Sequence, residues 1–191
     1  MANPNIHPLE LANQYIPNPA VEWDSSITIP RNPDAVWLLL SRVGLQGPKE
    51  AGAGWFLPQR LERFLPEKLH SVGALAVREG RLPRQREVGD RLKDFGKGAF
   101  ADVVAIDHEV RALALDGHWP SKKRILRTDS EHMHYTWTLH VEPIEGTPDN
   151  AQITTRVRKE TPFKRFGRVV PAVDKWGLKQ LRRGLMEHLP E

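Results

Sequence analysis

The chain has 191 residues and no cysteine. That excludes disulfides, thiolate metal sites and a thiol nucleophile, and is compatible with a reducing compartment. It has no apolar run of membrane-spanning length. The opening residues "MANPNIHPLELANQYIPNP" carry neither a basic n-region nor an apolar h-region, and Pro4, Pro8, Pro17 and Pro19 interrupt any helix there. No signal peptide is expected, and a soluble, cytoplasmic protein is. Also missing are a nucleophile elbow, a glycine-rich phosphate loop and a His-Glu-x-x-His pair, so no catalytic set is legible as a motif. There is no internal repeat and no low-complexity tract.

What is present suits one domain preceded by a tail: residues 1–19, rich in Pro and Asn and expected to run extended on the surface, and 20–191 as a single folded unit. A domain of this size removes roughly 70% of its unfolded surface from water and needs no covalent staples. The net charge of +4 is uneven, since residues 151–191 hold 10 Lys and Arg against 4 Asp and Glu. Those cations alternate with apolar positions, as the wet face of an amphipathic strand and helix requires. A nucleic-acid partner is therefore not expected, although a binding module for anionic partners remains a third reading.

"VEWDSSITI" alternates and predicts a first strand over Val21–Ile29. Asn32 is a good N-cap, Pro33 suits the first helical turn and Asp34 complements the dipole, so a short helix follows. Its stripe is Val36, Leu39, Leu40 and Val43, and Gly44 is the expected stop. "WFLPQRLERFLP" predicts a second short helix. Strands are then expected in "GDRLKDF", "AFADVVAI" and "RALALD", and "GHWPSKKRILRTDS" reads as less regular. "EHMHYTWTLHVEP" has strict period two: Met133, Tyr135, Trp137, Leu139 and Val141 on a dry face, with His132, His134, Thr136, Thr138, His140 and Glu142 on a wet one. "IEGTPDN" reads as a hairpin loop and "AQITTRVRK" as a last strand, with Arg156 outward. Near the end, Val169, Val173, Trp176, Leu181, Leu185 and Leu189 predict a long amphipathic helix, starting or kinked near Pro171. Strands gathered in one run with helices segregated from them indicate α+β. The terminal helix is the expected cover for the sheet's dry face.

Several words in this order resemble the START/polyketide-cyclase-like (SRPBCC) superfamily, in particular its bacterial polyketide cyclase/dehydrase-like group. They are "SSITIPRNPDAVWLLLSRVG", "GWF" at Gly54–Phe56 followed by "LERFL", "EVGDRL" at Glu87–Leu92, "VVAIDHEVRALAL" at Val103–Leu115, and "YTWTLHVEPIEGTPDNAQITTRVR". The resemblance covers about residues 21–188 and departs from the family in the proline-rich tail and in "HWPSKKRILRTDSEHMH". It implies a helix-grip fold, a curved antiparallel sheet wrapped around a long C-terminal helix, enclosing a hydrophobic cavity. Members of the superfamily bind lipids, sterols, polyketides or plant hormones, and some are aromatases or cyclases.

On that fold Leu113, Leu115, Tyr135, Trp137, Leu139 and Trp176 are expected to face one another, with Trp55 and Phe56 near the mouth. Aromatic rings need gaps filled and their N–H and O–H groups partnered, which suits an apolar pocket with a few polar anchors. The expected function is binding of a hydrophobic small molecule. The alternative is a polyketide aromatase/cyclase or related lyase using Asp102 or His118 as acid or base, Asp102 because burial in an apolar strand would raise its pKa. His132 and His134, two apart on one strand, lie roughly 6.5–7 Å apart at Cα, while His140 is about 20 Å further along. No neighbouring Cys, Asp or Glu motif completes a set, so neither a metal nor another cofactor is expected.

Overall fold

The computed structural model describes residues 7–42, 85–93, 100–120 and 132–160, and near the C terminus 175, 178, 179, 181–186 and 189. A 3₁₀ turn at Pro8–Glu10 precedes β1 (Val21–Ile29) and α1 (Pro33–Leu40). Then come β2 (Arg91–Lys93), β3 (Phe100–Asp107), β4 (Ala112–Pro120), β5 (His132–Ile144) and β6 (Thr147–Lys159). The six strands form one antiparallel sheet in the order β1-β6-β5-β4-β3-β2. This is an α+β architecture, with β1 crossing to pair with β6.

The local chemistry explains several boundaries. Asn32 Oδ1 accepts hydrogen bonds from the Asp34 and Ala35 amides at 2.8 and 3.4 Å, and Pro33 occupies the first turn of α1. In "EVGDRL" the Glu87 amide donates to Asp90 Oδ2 at 2.7 Å, and Gly89 takes a φ of 94° that a side chain would strain. The Gly89 amide then donates to Val103 O, and the Val103 amide to Asp90 O, which fastens this turn to β3. A register shift between Val103 and Ala105 puts a bulge in β3, a feature that bends a sheet.

Strand parity divides the sheet into two faces. On the inner face lie Ile27, Ile29, Ala101, Val103, Leu113, Leu115, Trp137, Leu139, Val141, Ile153 and Val157. They share one core with Val36, Trp37, Leu39 and Leu40 of α1 and with Leu178, Leu181, Leu185 and Leu189. The described residues 181–186 are helical, so this C-terminal segment does cover the dry face. The expected second helix in "WFLPQRLERFLP", together with Val43, Gly44, Val169, Pro171 and Val173, lies outside the described residues. Trp37, absent from the predicted stripe of α1, is buried and donates from Nε1 to His108 Nδ1 at 3.2 Å.

The outer face departs from expectation. The tail does not simply run extended: it turns at Pro8–Glu10, continues in turns through Tyr15 and buries Leu9, Ala12 and Ile16. The 3₁₀ turn packs on β5 and β4. Beneath it Ala112, Ala114, Thr136 and Thr138 are all at most 2% exposed. The face that alternation alone marks as wet is therefore covered over the middle of β4 and β5, because small residues there let an apolar turn sit close. Two strands also outrun their predicted limits. β4 continues through "GHWP", and "IEGTPDN" shrinks to a turn at Glu145–Gly146 because β6 already begins at Thr147, which pairs with Ile144.

Candidate functional site

The inner face of β4, β5 and β6 is built from cross-strand pairs. Leu113 lies opposite Leu139, Leu115 opposite Trp137, and Gly117 opposite Tyr135. On the other side of β5, Trp137 lies opposite Val157 and Tyr135 opposite Lys159. The sequence therefore placed Leu113, Leu115, Tyr135, Trp137 and Leu139 correctly on one face. Trp55, Phe56 and Trp176 lie outside the described residues.

The apolar character of this face breaks at one end. Lys159 follows Val157 by two residues, so it points the same way, and its side chain is only 1% exposed. Burial lowers its pKa from 10.5 to about 8, since removing water penalises the ammonium form. Beside it the Tyr135 ring crosses the bare backbone of Gly117, whose missing Cβ is what makes the approach possible. Further along the face, the Thr155 hydroxyl donates to Ser25 O at 3.3 Å and both residues are buried. Lys159 is the functional candidate that the residue-by-residue reading missed, although the alternation Ala151, Ile153, Thr155, Val157 already pointed to it.

The two acid/base candidates do not face this surface. Asp102 accepts from Arg91 Nε and Nη2 at 2.7 and 2.8 Å on the outer face, paired rather than buried alone. Arg91 in turn lies 4.0 Å over the Phe100 ring. His118 also has outer parity, and its ring stacks on His134 with centroids 4.7 Å apart and planes 3° apart. Asp116 joins them: its Oδ1 is 2.6 Å from His134 Nε2 and its Oδ2 is 3.4 Å from His118 Nε2. Contrary to the expectation that no acidic residue completes a set with His134, β4 supplies both Asp116 and His118. His140 lies further along the same face, beneath the tail, and burial holds its pKa below the ordinary value.

Two of the cations of β6, Arg156 and Arg158, are paired with carboxylates. Arg156 donates to both carboxylate oxygens of Asp24 at 2.9 and 2.8 Å. Arg158 Nε lies 2.7 Å from Glu22 Oε2. Arg156 thus has the outward parity expected of it, and its partner lies across the sheet on β1.

No protein-family profile matches the chain, and no curated protein matches it. Solved structures do. A hypothetical protein from Helicobacter pylori aligns over 97% of this chain and 98% of its own, at 14% identity and a TM-score of 0.54. A truncated norcoclaurine synthase from Thalictrum flavum aligns over 87% of this chain and 91% of its own, at 18% identity and a TM-score of 0.50. The chain shares its fold with these two structures. At these identities the likeness is one of fold, and function must be argued from the residues.

Proposed function

We propose that the protein binds a hydrophobic small molecule, lipid or polyketide-like, between the inner face of the sheet and the C-terminal helical segment. In this reading the terminal segment is the long helix of a helix-grip, and Trp55, Phe56 and Trp176 add to the lining formed by Leu113, Leu115, Tyr135, Trp137 and Leu139. The observation that carries it is Lys159, a buried cation on a mostly apolar face beside Tyr135. Ligand sites have this composition, mostly apolar with a few convergent polar groups and a perturbed pKa. The ligand would set its apolar body on Leu113, Leu115 and Trp137 and an oxygen function toward Lys159. Among the described residues no helix is long and apolar enough to cross a membrane, and we place the protein in the cytoplasm.

A second reading, a cyclase or lyase, draws on the same lysine. An amine with a pKa of about 8 is a competent general base near neutrality. If chemistry occurs here, Lys159 and Tyr135 are the groups for it, in place of Asp102 and His118. The anionic-partner reading is weakened by the pairing of Arg156 with Asp24 and of Arg158 with Glu22.

Native mass spectrometry of delipidated chain, incubated with a mixture of long-chain fatty acids and polycyclic phenols, tests the proposal. One apolar molecule per chain is expected on the parent and none on Leu115→Trp, in which the indole fills the site. Equal uptake by both, or none by the parent, overturns it.

A further inference from the structure

The outer face carries a second constellation, directly behind Tyr135 and Lys159. Gly117 and His118, His134 and Tyr135, and Lys159 and Glu160 are consecutive pairs, and consecutive strand residues point to opposite faces. The inner members approach one another around Tyr135. The outer members, with Asp116, form a compact polar group whose ligand-type atoms from Asp116, His118 and His134 all lie within 4.8 Å of one another.

We propose that Asp116, His118 and His134 form a binding site for a late first-row divalent cation of the zinc type. The donor set is two imidazole nitrogens and one carboxylate oxygen. That set suits Zn²⁺, Co²⁺ or Ni²⁺ and not the all-oxygen shells of Ca²⁺ or Mg²⁺. Ligand atoms around a tetrahedral zinc stand about 3.3 Å apart, given bonds of about 2.0–2.1 Å. The separation of 3.4 Å between Asp116 Oδ2 and His118 Nε2 already matches, while the other oxygen, Oδ1, is the one that faces His134. The Asp116–His134 separation of 2.6 Å is that of a shared proton, which an entering cation displaces with a small opening of the pair.

The strands hold this geometry firmly. Asp116 and His118 are two apart on β4, and His118 sits directly opposite His134 on β5. An independent observation on the far side of His134 also points to a metal. Its Nδ1 lies 3.3 Å from Glu160 Oε2, and the Glu160 amide donates to His134 O at 3.3 Å, which holds the Glu160 backbone next to His134. Once a cation displaces the proton shared with Asp116, the remaining proton sits on Nδ1 toward Glu160 and Nε2 offers its lone pair to the ion. A carboxylate behind a ligating imidazole sets the tautomer and raises ligand basicity in this way. Phe100 flanks His118 with ring centroids 5.4 Å apart, and Arg91, over the Phe100 ring, is paired with Asp102. The side chains of Asp116, His118 and His134 are 17%, 38% and 21% exposed. An ion can therefore enter from solvent, and water can take the fourth position.

This site does not depend on the ligand reading for the inner face. It is tested by calorimetric titration of the tag-free, chelator-stripped full chain with ZnCl₂ at pH 7.5, repeated with CoCl₂ and followed by visible absorption. One equivalent of saturable binding is expected, with the intense absorption of tetrahedral Co²⁺. His118→Ala, His134→Ala and Asp116→Asn are each expected to weaken binding at least tenfold. Glu160→Gln, which keeps the fold and the first ligands, is expected to weaken it about tenfold. His140→Ala, on the same face under the tail, is expected to leave it unchanged. The proposal is overturned if no saturable binding occurs, if the His118→Ala and His134→Ala proteins bind as the parent does, or if His140→Ala alone removes binding.

Discussion

The ring of Tyr135 lies across the backbone of Gly117, so that a Cβ at position 117 would overlap the ring's Cζ and hydroxyl. This contact closes one end of the inner face and fixes where the apolar surface gives way to Lys159. Gly117→Ala must push the ring aside, and overpacking of this kind costs about 1–3 kcal/mol. In a Tyr135→Ala background the obstruction is gone, and the same substitution should cost little. Denaturant unfolding of the double-mutant cycle checks this, with a coupling of at least about 1 kcal/mol expected.

Lys159 makes stability depend on pH in a defined direction. The folded side chain releases its proton at about pH 8 and the unfolded one near 10.5. Between these values the unfolded state binds more protons, so stability rises with pH, and the gain is absent below about pH 8. Lys159→Met removes the term. It should be more stable than the parent at pH 7, and the difference should shrink toward pH 10.5, by at most about 3 kcal/mol in total. Paired urea titrations from pH 7 to 10.5 measure it, and a constant difference would contradict a buried ammonium at this position.

The tail is part of the folded unit. Leu9 and Ile16 are 6% and 2% exposed. Leu9→Ala and Ile16→Ala should each cost about 2–4 kcal/mol in thermal or denaturant unfolding, as large-to-small changes in a packed site do. A solvated tail would give values within about 0.5 kcal/mol of the parent.

The Asp24–Arg156 pair joins the edge strand β1 to β6. Hydrogen bonds from Arg156 hold the Asp24 carboxyl below its ordinary pKa. Its stabilisation is therefore present at neutral pH and lost as pH falls through that lowered value. The pair is partly exposed, so Arg156→Gln should cost no more than about 1 kcal/mol at pH 7, with the difference vanishing in acid. Acid unfolding curves of the two proteins provide the comparison.

Much of the fold was legible because it is written in short-range patterns. The alternation of "VEWDSSITI" gives β1 from Val21 to Ile29, and Asn32 with Pro33 gives the start of α1. The period-two run around Trp137 gives both β5 and its inward face. Gly117 and Pro120 hid the second half of β4, because glycine and proline read as punctuation when the partner strand is unknown. For the same reason Asp116 and His118 could not be set beside His134. Cross-strand register is a property of the folded sheet, and no spacing within one strand reveals it. The burial of Thr136 and Thr138 was equally hidden, since alternation distinguishes two faces but does not say what covers each. The inward place of Lys159 follows from parity alone, although its charge favours water.

A hydrophobic ligand on the inner face of β4–β6 would touch Trp137 and the leucines beside it. Heteronuclear NMR of the delipidated chain, titrated with decanoate, tests it most directly. Saturable, one-to-one shifts are expected for the Trp137 indole N–H and for the methyl groups of Leu113, Leu115 and Leu139, with the outer-face Thr136 and Thr138 methyls unmoved. Shifts confined to the outer face, or none on the inner one, would contradict it.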